Sequence, residues 1–440
     1  MRYLPHTEAE RAAMLDFLGL SEVDPLFADV PEAARLNRPL AVPGPLSELE
    51  LQRHMAEMAG RDVSTATMPC YLGGQFYDRF IPAAVGMLAA RGEFATSYTP
   101  YQAELSQGTL AAIFEFQTMI AHLTGMAAAQ ASMYDGSSAL AEAALLAVGA
   151  TGRTVLLLDD GLFPDNVDVI KTYAAARKIR VEHRAGRPWA DVVGPEVAAV
   201  VVQNPDCYGI VQDGRPVTAL AHAAGALGIA MVDPVALALV ESPGAMGFDV
   251  AVGEGQPLGN RLSYGGPTFG FFAVGEPLIR RLPGRLVGMA RDVNGDRGFV
   301  LTLQAREQHI RRERATSNIC SNHSLNALQA TIYMALLGPE GLRDVARLSA
   351  AKAHYLVGAL APLGITPARP GPFLYEVALR VPGDVADLNR HLLAHGILGG
   401  YDMGQWRAEW EGLWQVAVTE KRSRAELDDL VEEVARWISR

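Results

Sequence analysis

The chain has 440 residues, of which 49% are hydrophobic and 20% are charged. This balance is typical of a globular protein with a large buried core, and the length predicts two or three structural units. The formal net charge of -11 argues against nucleic acid and anionic membranes as partners, because both attract basic surfaces.

The first 62 residues are predicted to form a helical arm. Two capping-box spacings, Thr7 with Glu10 and Ser47 with Glu50, each mark the start of an amphipathic helix. The opening stretch MRYLPHTEAERAAMLDFLG is charged and amphipathic, so it does not read as a secretory signal. The arm has too few residues for a core of its own, so its apolar faces are expected to pack on another domain or another subunit.

Residues 63–330 are predicted to form a large, doubly wound α/β domain. The longest apolar run, GTLAAIFEFQTMIAHLTGM, is interrupted by polar side chains before it reaches the ~20 residues of a membrane span, so a soluble cytoplasmic protein is expected. Short Val- and Ile-rich runs alternate with helical segments, which favours a mostly parallel sheet covered on both faces. These runs are RTVLLLDD, IRVEHRA, VAAVVVQNP, IAMVDP, VAVGEG and TFGFFAV.

Residues 331–440 are predicted to form a smaller α/β unit. Its helices are expected around SLNALQATIYMALLG, GLRDVARLSAAKAHYLVGALAPLG and RAELDDLVEEVARWISR, and its strands at FLYEVALRV and LWQVAVT.

Several common enzyme motifs are missing from the sequence. It contains no Gly-rich dinucleotide fingerprint between a strand and a helix, no phosphate-binding P-loop and no G-x-S-x-G elbow. This disfavours a nicotinamide enzyme, an ATPase and a serine hydrolase. His309 and His323 lie far apart without clustered acids, and the three cysteines have no paired spacing, so neither a metal site nor a disulfide is predicted.

A first candidate site lies where Asp135, Ser137 and Ser138 precede an Ala/Leu-rich helix. Their hydroxyls and backbone N–H groups would suit an anion at the helix N-terminus, or they would simply cap the helix. A second candidate is Asp233, at the end of IAMVD. A carboxylate there either pairs with the ring nitrogen of pyridoxal phosphate or begins a turn before Pro234.

The lysine content limits what this chain can do with such a cofactor. Its only lysines are Lys171, Lys178, Lys352 and Lys421, and all four read as solvated surface charges. Arginine cannot replace a Schiff-base lysine, because its guanidinium stays protonated. If the fold holds pyridoxal phosphate covalently, this chain does not supply the bond.

Two further segments are rich in polar and aromatic residues. RGEFATSYTPYQAELSQG reads as a loop that enters a helix, and QHIRRERATSNICSNHSLNAL reads as a basic turn followed by a helix. Each is either a ligand or partner surface, or an anchored loop with ordinary caps.

Together these segments resemble the glycine decarboxylase family, the P protein of the glycine cleavage system. The resemblance is to its amino-terminal half, which exists as a separate subunit in many bacteria and archaea. It is carried by YLPHTEAERAAML, EFATSYTPYQAELSQGTLAAIFEFQTMIAHLTGM, ASMYDGSSALAEAA, VAVGEGQPLGNRLSYGGPTFGFFA and IRRERATSNICSNHSLNAL, and it spans the whole chain.

The resemblance implies a fold-type-I pyridoxal-phosphate architecture in which a second subunit carries the cofactor lysine. Aligned on the Gly-Phe-Asp segment, the lysine position falls near Gln256 or Pro257 here. The cofactor-like residues of this chain would then be vestigial, namely Ser137, Ser138, Asp233 and Gln256.

The resemblance also implies that this chain completes the active site of its partner at the subunit interface. The residues expected to do so are Tyr98, Tyr101, Gln102, Thr316, Ser317 and Asn318. The assembly is expected to be an α2β2 heterotetramer that binds glycine and passes an aminomethyl group to the lipoyl arm of the H protein.

Two other functions remain open at this stage. One is an autonomous pyridoxal-phosphate enzyme that uses Lys171 or Lys178. The other is a purely structural or regulatory relative.

Overall fold

The computed structural model describes residues 5–440, and the chain divides into two compact units, Met1–Val63 and Ser64–Arg440. The predicted boundary at residue 330, which separates a large from a small domain, stays a prediction. Both parts of the second unit contribute side chains to one hydrophobic core, from Tyr71 to Trp437.

The first unit contains two α-helices, α1 (Glu8–Phe17) and α2 (Glu48–Ala59). Both predicted capping boxes are present. The Glu10 N–H donates to the Thr7 hydroxyl over 3.2 Å, and the Glu50 N–H donates to the Ser47 hydroxyl over 3.3 Å. Neither helix buries a side chain, so local capping rather than packing defines where the two helices begin.

The second unit is built around a seven-stranded sheet with the order β1-β7-β6-β5-β4-β2-β3. Strands β2 to β6 pair in parallel. Strand β7 is antiparallel to both of its neighbours, β6 and β1. The strands are β1 (Ala128–Ala129), β2 (Val155–Leu158), β3 (Arg180–His183), β4 (Val197–Asn204), β5 (Leu227–Val232), β6 (Val250–Glu254) and β7 (Gly270–Val274).

Helices cover both faces of this sheet. In β4, Val200 and Val202 pack on one face while Ala199 and Val201 pack on the other, and every residue of the strand is buried. This arrangement confirms the predicted doubly wound architecture. The helices up to this point are α3 (Ala83–Ala89), α4 (Gly92–Ala95), α5 (Gln107–Thr124), α6 (Gly136–Thr151), α7 (Pro164–Ala175), α8 (Trp189–Val192) and α9 (Arg215–Ala223).

Two features of the strands were not predicted. The antiparallel direction of β7 follows from its connection, because residues 255–269 form a loop without the crossover helix that a parallel strand usually needs. The hairpin of β8 (Leu286–Arg291) and β9 (Arg297–Thr302) was missed altogether. Its turn contains Asn294-Gly295, a dipeptide that favours hairpins, so a signal for it was present in the sequence.

The rest of the chain forms a second, antiparallel sheet with helices. The four strands have the order β10-β11-β13-β12. The long helix α11 is interrupted at Gly338, where φ is +61° and Pro339 follows, which explains why the sequence reads as two helices. The elements are α10 (Gln308–Arg311), α11 (Ser324–Leu360), β10 (Thr366–Pro367), β11 (Glu376–Arg380), α12 (Val385–Ala394), β12 (Tyr401–Asp402), β13 (Leu413–Ala417) and α13 (Arg424–Ile438).

Within residues 5–440, no helix combines the length and the apolar character that crossing a membrane requires.

Candidate functional site

The carboxyl ends of the central parallel strands open into a small, largely closed cavity. This edge is where open α/β sheets bind ligands. The cavity has room for about one ordered water molecule. The polar side chains that line it include Gln75, Tyr77, Gln203, Asp233, Glu254, Tyr375 and Glu376.

Glu254, the last residue of β6, lies at the N-terminus of α6. Its Oε2 accepts the Gly136 N–H over 3.0 Å, and its Oε1 accepts the Gln256 N–H over 2.9 Å and the Thr268 hydroxyl. Burial raises the pKa of Glu254 to about 7, although these three donors favour the ionised form. A carboxyl group of the chain itself therefore binds where an external anion would meet the helix N-terminus.

The two serines at this helix terminus also have partners within the chain. Asp135 is the N-cap, and its carboxylate accepts the Ser138 N–H over 2.7 Å. The Ser138 hydroxyl donates to the Asp135 carbonyl over 3.1 Å, and the Ser137 hydroxyl donates to Asn166 over 2.7 Å. The helix cap is therefore present, and whether this segment also binds an anion stays a prediction.

Gln256, which with Pro257 lies near the inferred lysine position, is buried, and its side-chain amide is hydrogen-bonded at both ends. Its Oε1 accepts the Tyr77 N–H over 2.9 Å. Its Nε2 donates to the Tyr77 carbonyl over 3.1 Å and to the Asn260 carbonyl over 2.7 Å. The amide therefore ties the segment around Tyr77 to the loop that follows β6.

Asp233 begins a turn after β5, where its Oδ1 accepts the Val235 N–H over 2.9 Å. Its Oδ2 accepts the Tyr375 hydroxyl over 2.6 Å. Burial raises the pKa of Tyr375 well above its usual value, so this phenol stays protonated and donates. The carboxylate that would face a cofactor ring instead binds a phenol from the segment before β11.

Residues from distant parts of the chain close the cavity, and sequence reasoning missed them. The Tyr77 hydroxyl donates to Glu376 Oε2 over 2.9 Å, and burial raises the pKa of Glu376 to about 7. The Arg79 guanidinium carbon lies 5.2 Å from the Tyr77 ring centroid and 4.7 Å from that of Tyr375. No motif in the sequence signals these contacts, because they join segments roughly three hundred positions apart.

These side chains do not fit pyridoxal phosphate. The helix N-terminus that would bind a phosphate faces Glu254, and the cavity is far too small for a pyridine ring. All four lysines lie within the described residues, and none lines the cavity. Lys171 and Lys178 are exposed as predicted, whereas the other two are half-buried: Lys352 donates to the Glu420 carbonyl over 2.5 Å, and Lys421 pairs with Asp78 over 2.6 Å.

The predicted partner loop lies on the surface and is firmly anchored. Tyr98 is fully exposed, and Tyr101 and Gln102 are exposed as well. At the end of the loop, the Gln107 amide accepts the Phe299 N–H and donates to the Phe299 carbonyl, both over 2.8 Å. The loop is therefore hydrogen-bonded at its end to strand β9 of the hairpin.

Arg285 connects this loop to the turn before α11. Its guanidinium carbon lies 5.5 Å from the Tyr101 ring centroid, and its Nη2 donates to the Cys320 carbonyl over 3.2 Å. The His309 ring also lies near Tyr101, with the two ring centroids 5.7 Å apart. Arg285 was not identified from the sequence, where it is one arginine among many.

The turn before α11 borders a second, more open cavity of about 150 Å³. Asn318 and Ser138 both line it, together with Tyr134, Glu142 and other side chains. Burial raises the pKa of Glu142, and a hydrogen bond from Ser317 opposes that shift. The structure thus brings Ser138, Ser317 and Asn318 together, although the sequence had assigned them to separate sites.

Thr316 is half-buried and is held by its backbone N–H, which donates to the Arg306 carbonyl over 3.3 Å. Tyr98 and Gln102 remain on the surface away from the small cavity, which neither of them lines. Of the predicted residues, Asp233 therefore lines the small cavity, Ser138 and Asn318 line the second cavity, and Tyr98 and Gln102 lie on the surface.

Comparisons with known proteins match the chain along nearly its whole length. Residues 1–434 match the family described as glycine cleavage system P-protein. The probable glycine dehydrogenase (decarboxylating) subunit 1 of Moorella thermoacetica is 48% identical over 439 residues, which cover 98% of each chain. The corresponding protein of Carboxydothermus hydrogenoformans is 46% identical and covers 98% of this chain and 99% of the relative.

Solved structures confirm the predicted fold class. A crystal structure of glycine decarboxylase (P-protein) of the glycine cleavage system, in inhibitor-bound form, superposes with a TM-score of 0.90. It is 43% identical and covers 99% of this chain and 100% of that chain. The glutamate decarboxylase of Lactobacillus brevis, 14% identical with a TM-score of 0.67 over 94% of this chain and 97% of its own, shares the fold-type-I pyridoxal-phosphate architecture alone.

Proposed function

Because the chain belongs to the glycine cleavage system P-protein family, we propose that it is subunit 1 of a decarboxylating glycine dehydrogenase and completes the active site of a second, lysine-bearing subunit. The observation that carries this proposal is the small cavity at Asp233 and Glu254, beside a buried Gln256 whose amide is hydrogen-bonded within the chain. The chain also matches subunit 1 proteins over nearly its whole length. Such a chain contributes to the reaction through its surface rather than through a cofactor of its own.

Pyridoxal phosphate, bound by the partner subunit, supplies the electron sink for the loss of CO2 from glycine. This chain would supply the wall of that reaction chamber and the mouth through which the lipoyl arm of the H protein enters. The loop around Tyr98 and Tyr101 suits this role, because exposed aromatic side chains on a rigid support are common in interfaces. Thr316, Ser317 and Asn318 would line the same chamber, joined to the loop through Arg285.

In this proposal the chain has the fold of a pyridoxal-phosphate enzyme but binds no cofactor, and internal hydrogen bonds stabilise the place where a cofactor would bind. The hydrogen bonds of Glu254, Gln256 and Asp233 hold its central loops together without an external ligand. A rigid body of this kind presents the outward loop in one conformation, which lowers the entropy lost on assembly.

The test uses the chain co-expressed with the lysine-bearing subunit of the same organism. Exchange of the glycine carboxyl group with bicarbonate measures the decarboxylation step. Tyr98→Phe and Tyr101→Phe should each lower turnover about tenfold, equivalent to the loss of one hydrogen bond of about 1.4 kcal/mol in the transition state. Tyr355→Phe is the matched control, because its hydroxyl bonds Asp428 on α13 rather than any residue of the loop.

The outcomes separate this proposal from its alternatives. Unchanged kinetics in both loop variants would remove the pocket role and favour a purely structural subunit. An isolated chain that binds pyridoxal phosphate covalently and exchanges bicarbonate by itself would favour an autonomous enzyme.

A further inference from the structure

Two histidines and a glutamate meet between the last two long elements of the chain, away from the sites described above. His391 lies on α12, His395 caps the C-terminus of that helix, and Glu433 lies on α13. His391 Nε2 is 3.1 Å from Glu433 Oε2, and His395 Nε2 is 3.7 Å from the same oxygen. The three side chains therefore converge on one point in the packed interface between the two helices.

The hydrogen bonds around His395 leave a free lone pair in this cluster. Its Nδ1 is 2.8 Å from the His391 carbonyl oxygen. A carbonyl only accepts, so Nδ1 carries the proton, and in the neutral ring Nε2 is an unprotonated acceptor. That lone pair faces the carboxylate oxygen of Glu433, which is an acceptor as well. Two acceptors at this distance repel each other unless a proton or a metal cation lies between them.

The carboxylate of Glu433 is oriented for such a cation. Its Oε1 accepts from Arg436, which fixes the group in place. Its Oε2 is buried and receives no well-aligned hydrogen bond within the described residues, although the two imidazole nitrogens lie 3.1 and 3.7 Å from it. A buried carboxylate oxygen that receives no hydrogen bond is costly, and an ion bound between it and the two nitrogens would offset that cost.

We propose that His391, His395 and Glu433 bind one divalent transition-metal ion of the zinc class. Ligand atoms of a tetrahedral zinc ion lie about 3.3 Å apart, given bonds of about 2.0–2.1 Å. The two distances from Glu433 Oε2, 3.1 and 3.7 Å, bracket this value, and the three ligand atoms all lie within 4.8 Å of one another, so small side-chain shifts close the site around the ion. Imidazole nitrogens favour zinc, cobalt and nickel over calcium and magnesium. His395 is partly exposed, so a water molecule completes the fourth position from the solvent side.

Binding requires one rearrangement within the site. In the structure, His391 Nε2 donates to the Glu433 carbonyl oxygen over 3.1 Å. Metal binding through Nε2 requires the other neutral tautomer, with the proton on Nδ1, a buried atom that makes no hydrogen bond within the described residues. The net charge of the ring is unchanged. The ion then clamps α12 to α13, next to the bond that Trp437 donates to Asp387 over 2.8 Å.

The histidine pair was not singled out from the sequence, where only His309 and His323 were considered as ligands. The i, i+4 spacing of His391 and His395 places both rings on one helix face, which was the available signal. The third ligand comes from another helix, and only the fold reveals it.

The test titrates the untagged, chelator-treated full chain with Zn2+ and with Co2+. One ion per chain is expected, together with the intense visible absorption of tetrahedral Co2+ and a higher midpoint of thermal unfolding when Zn2+ is present. His395→Ala and Glu433→Gln should each weaken binding by more than about 100-fold, beyond the cost of losing an outer-sphere contact. His222→Ala is the matched control, because its ring pairs with Asp249 alone over 2.9 Å.

His395 is exposed enough that its loss leaves the fold intact, so a negative result with this variant is informative. Binding that persists in both variants would place the ion elsewhere and overturn the proposal. An absence of stoichiometric Zn2+ and Co2+ binding in the wild-type chain would also overturn it, and would identify the cluster as a hydrogen-bonded pair of histidines on a carboxylate.

Discussion

The protonation of Glu254 gives a direct test of the closed pocket. Burial raises its pKa from 4.5 to about 7, so the folded chain binds this proton more tightly than the unfolded chain does. The associated stability is fully present below about pH 4.5 and is lost as the pH rises through about 7. The pKa of Glu254 in the folded chain thus exceeds its ordinary value by about 2.5, which corresponds to about 3 kcal/mol in the free energy of unfolding.

In the Glu254→Gln variant this titration is absent, because the amide stays neutral. The difference in unfolding free energy between wild type and variant should therefore change by about 3 kcal/mol between pH 4.5 and pH 8, with the wild type gaining at low pH. Urea unfolding at a series of pH values measures it. Glu182→Gln, on the exposed part of β3, is the control.

Parallel pH profiles for the wild type and Glu254→Gln would refute this reasoning. They would mean that the carboxyl group is hydrated and that the N-terminus of α6 is open to an external anion. The other buried carboxyl group, Glu376, should give a similar and separate change when it is replaced by glutamine, because burial raises its pKa to about 7 as well.

Three further predictions follow from single contacts. Gln256→Lys should lower the unfolding free energy by about 2–4 kcal/mol, because it removes the buried hydrogen bonds that the Gln256 side-chain amide makes with Tyr77 and Asn260. The isolated variant should show no visible absorbance after incubation with pyridoxal phosphate, and a bound chromophore would contradict the closure of the pocket. Arg285→Ala should reduce bicarbonate exchange in the complex, because the Tyr101 loop loses its link to Cys320, and unchanged exchange would contradict that role. Asp384→Ala should destabilise the chain by about 1 kcal/mol in thermal unfolding, since Asp384 caps α12 through the Ala386 N–H over 2.8 Å.

Much of the fold could be predicted from the sequence, because its signals are local. The buried strands β2, β4, β5 and β6 are short apolar runs, and the arm helices begin at capping boxes. Strand direction is not local. The run that forms β7 looks like its neighbours, and only the loop that precedes it makes the strand antiparallel.

In the candidate site, too, local features could be predicted from the sequence and long-range contacts could not. Asp135 and Asp233 were identified because each lies at a recognisable position relative to a strand or helix. Gln256 was identified only through the family resemblance, by alignment on the Gly-Phe-Asp segment. Their partners were not identified, because Tyr77, Tyr375 and Glu376 reach the pocket from both ends of the unit. The sequence therefore indicates which residues surround the pocket, while only the folded chain shows that the pocket is closed.

The central claim is that the cofactor of the complex is bound by the partner and not by this chain. Reduction of the active, co-purified complex with borohydride, followed by peptide mass spectrometry, would locate the attached pyridoxal group. The account predicts that the group is found on a lysine of the partner subunit and that the peptide containing Gln256 and all four lysine peptides of this chain are unmodified. A stoichiometric pyridoxal adduct on Lys171, Lys178, Lys352 or Lys421 would contradict it.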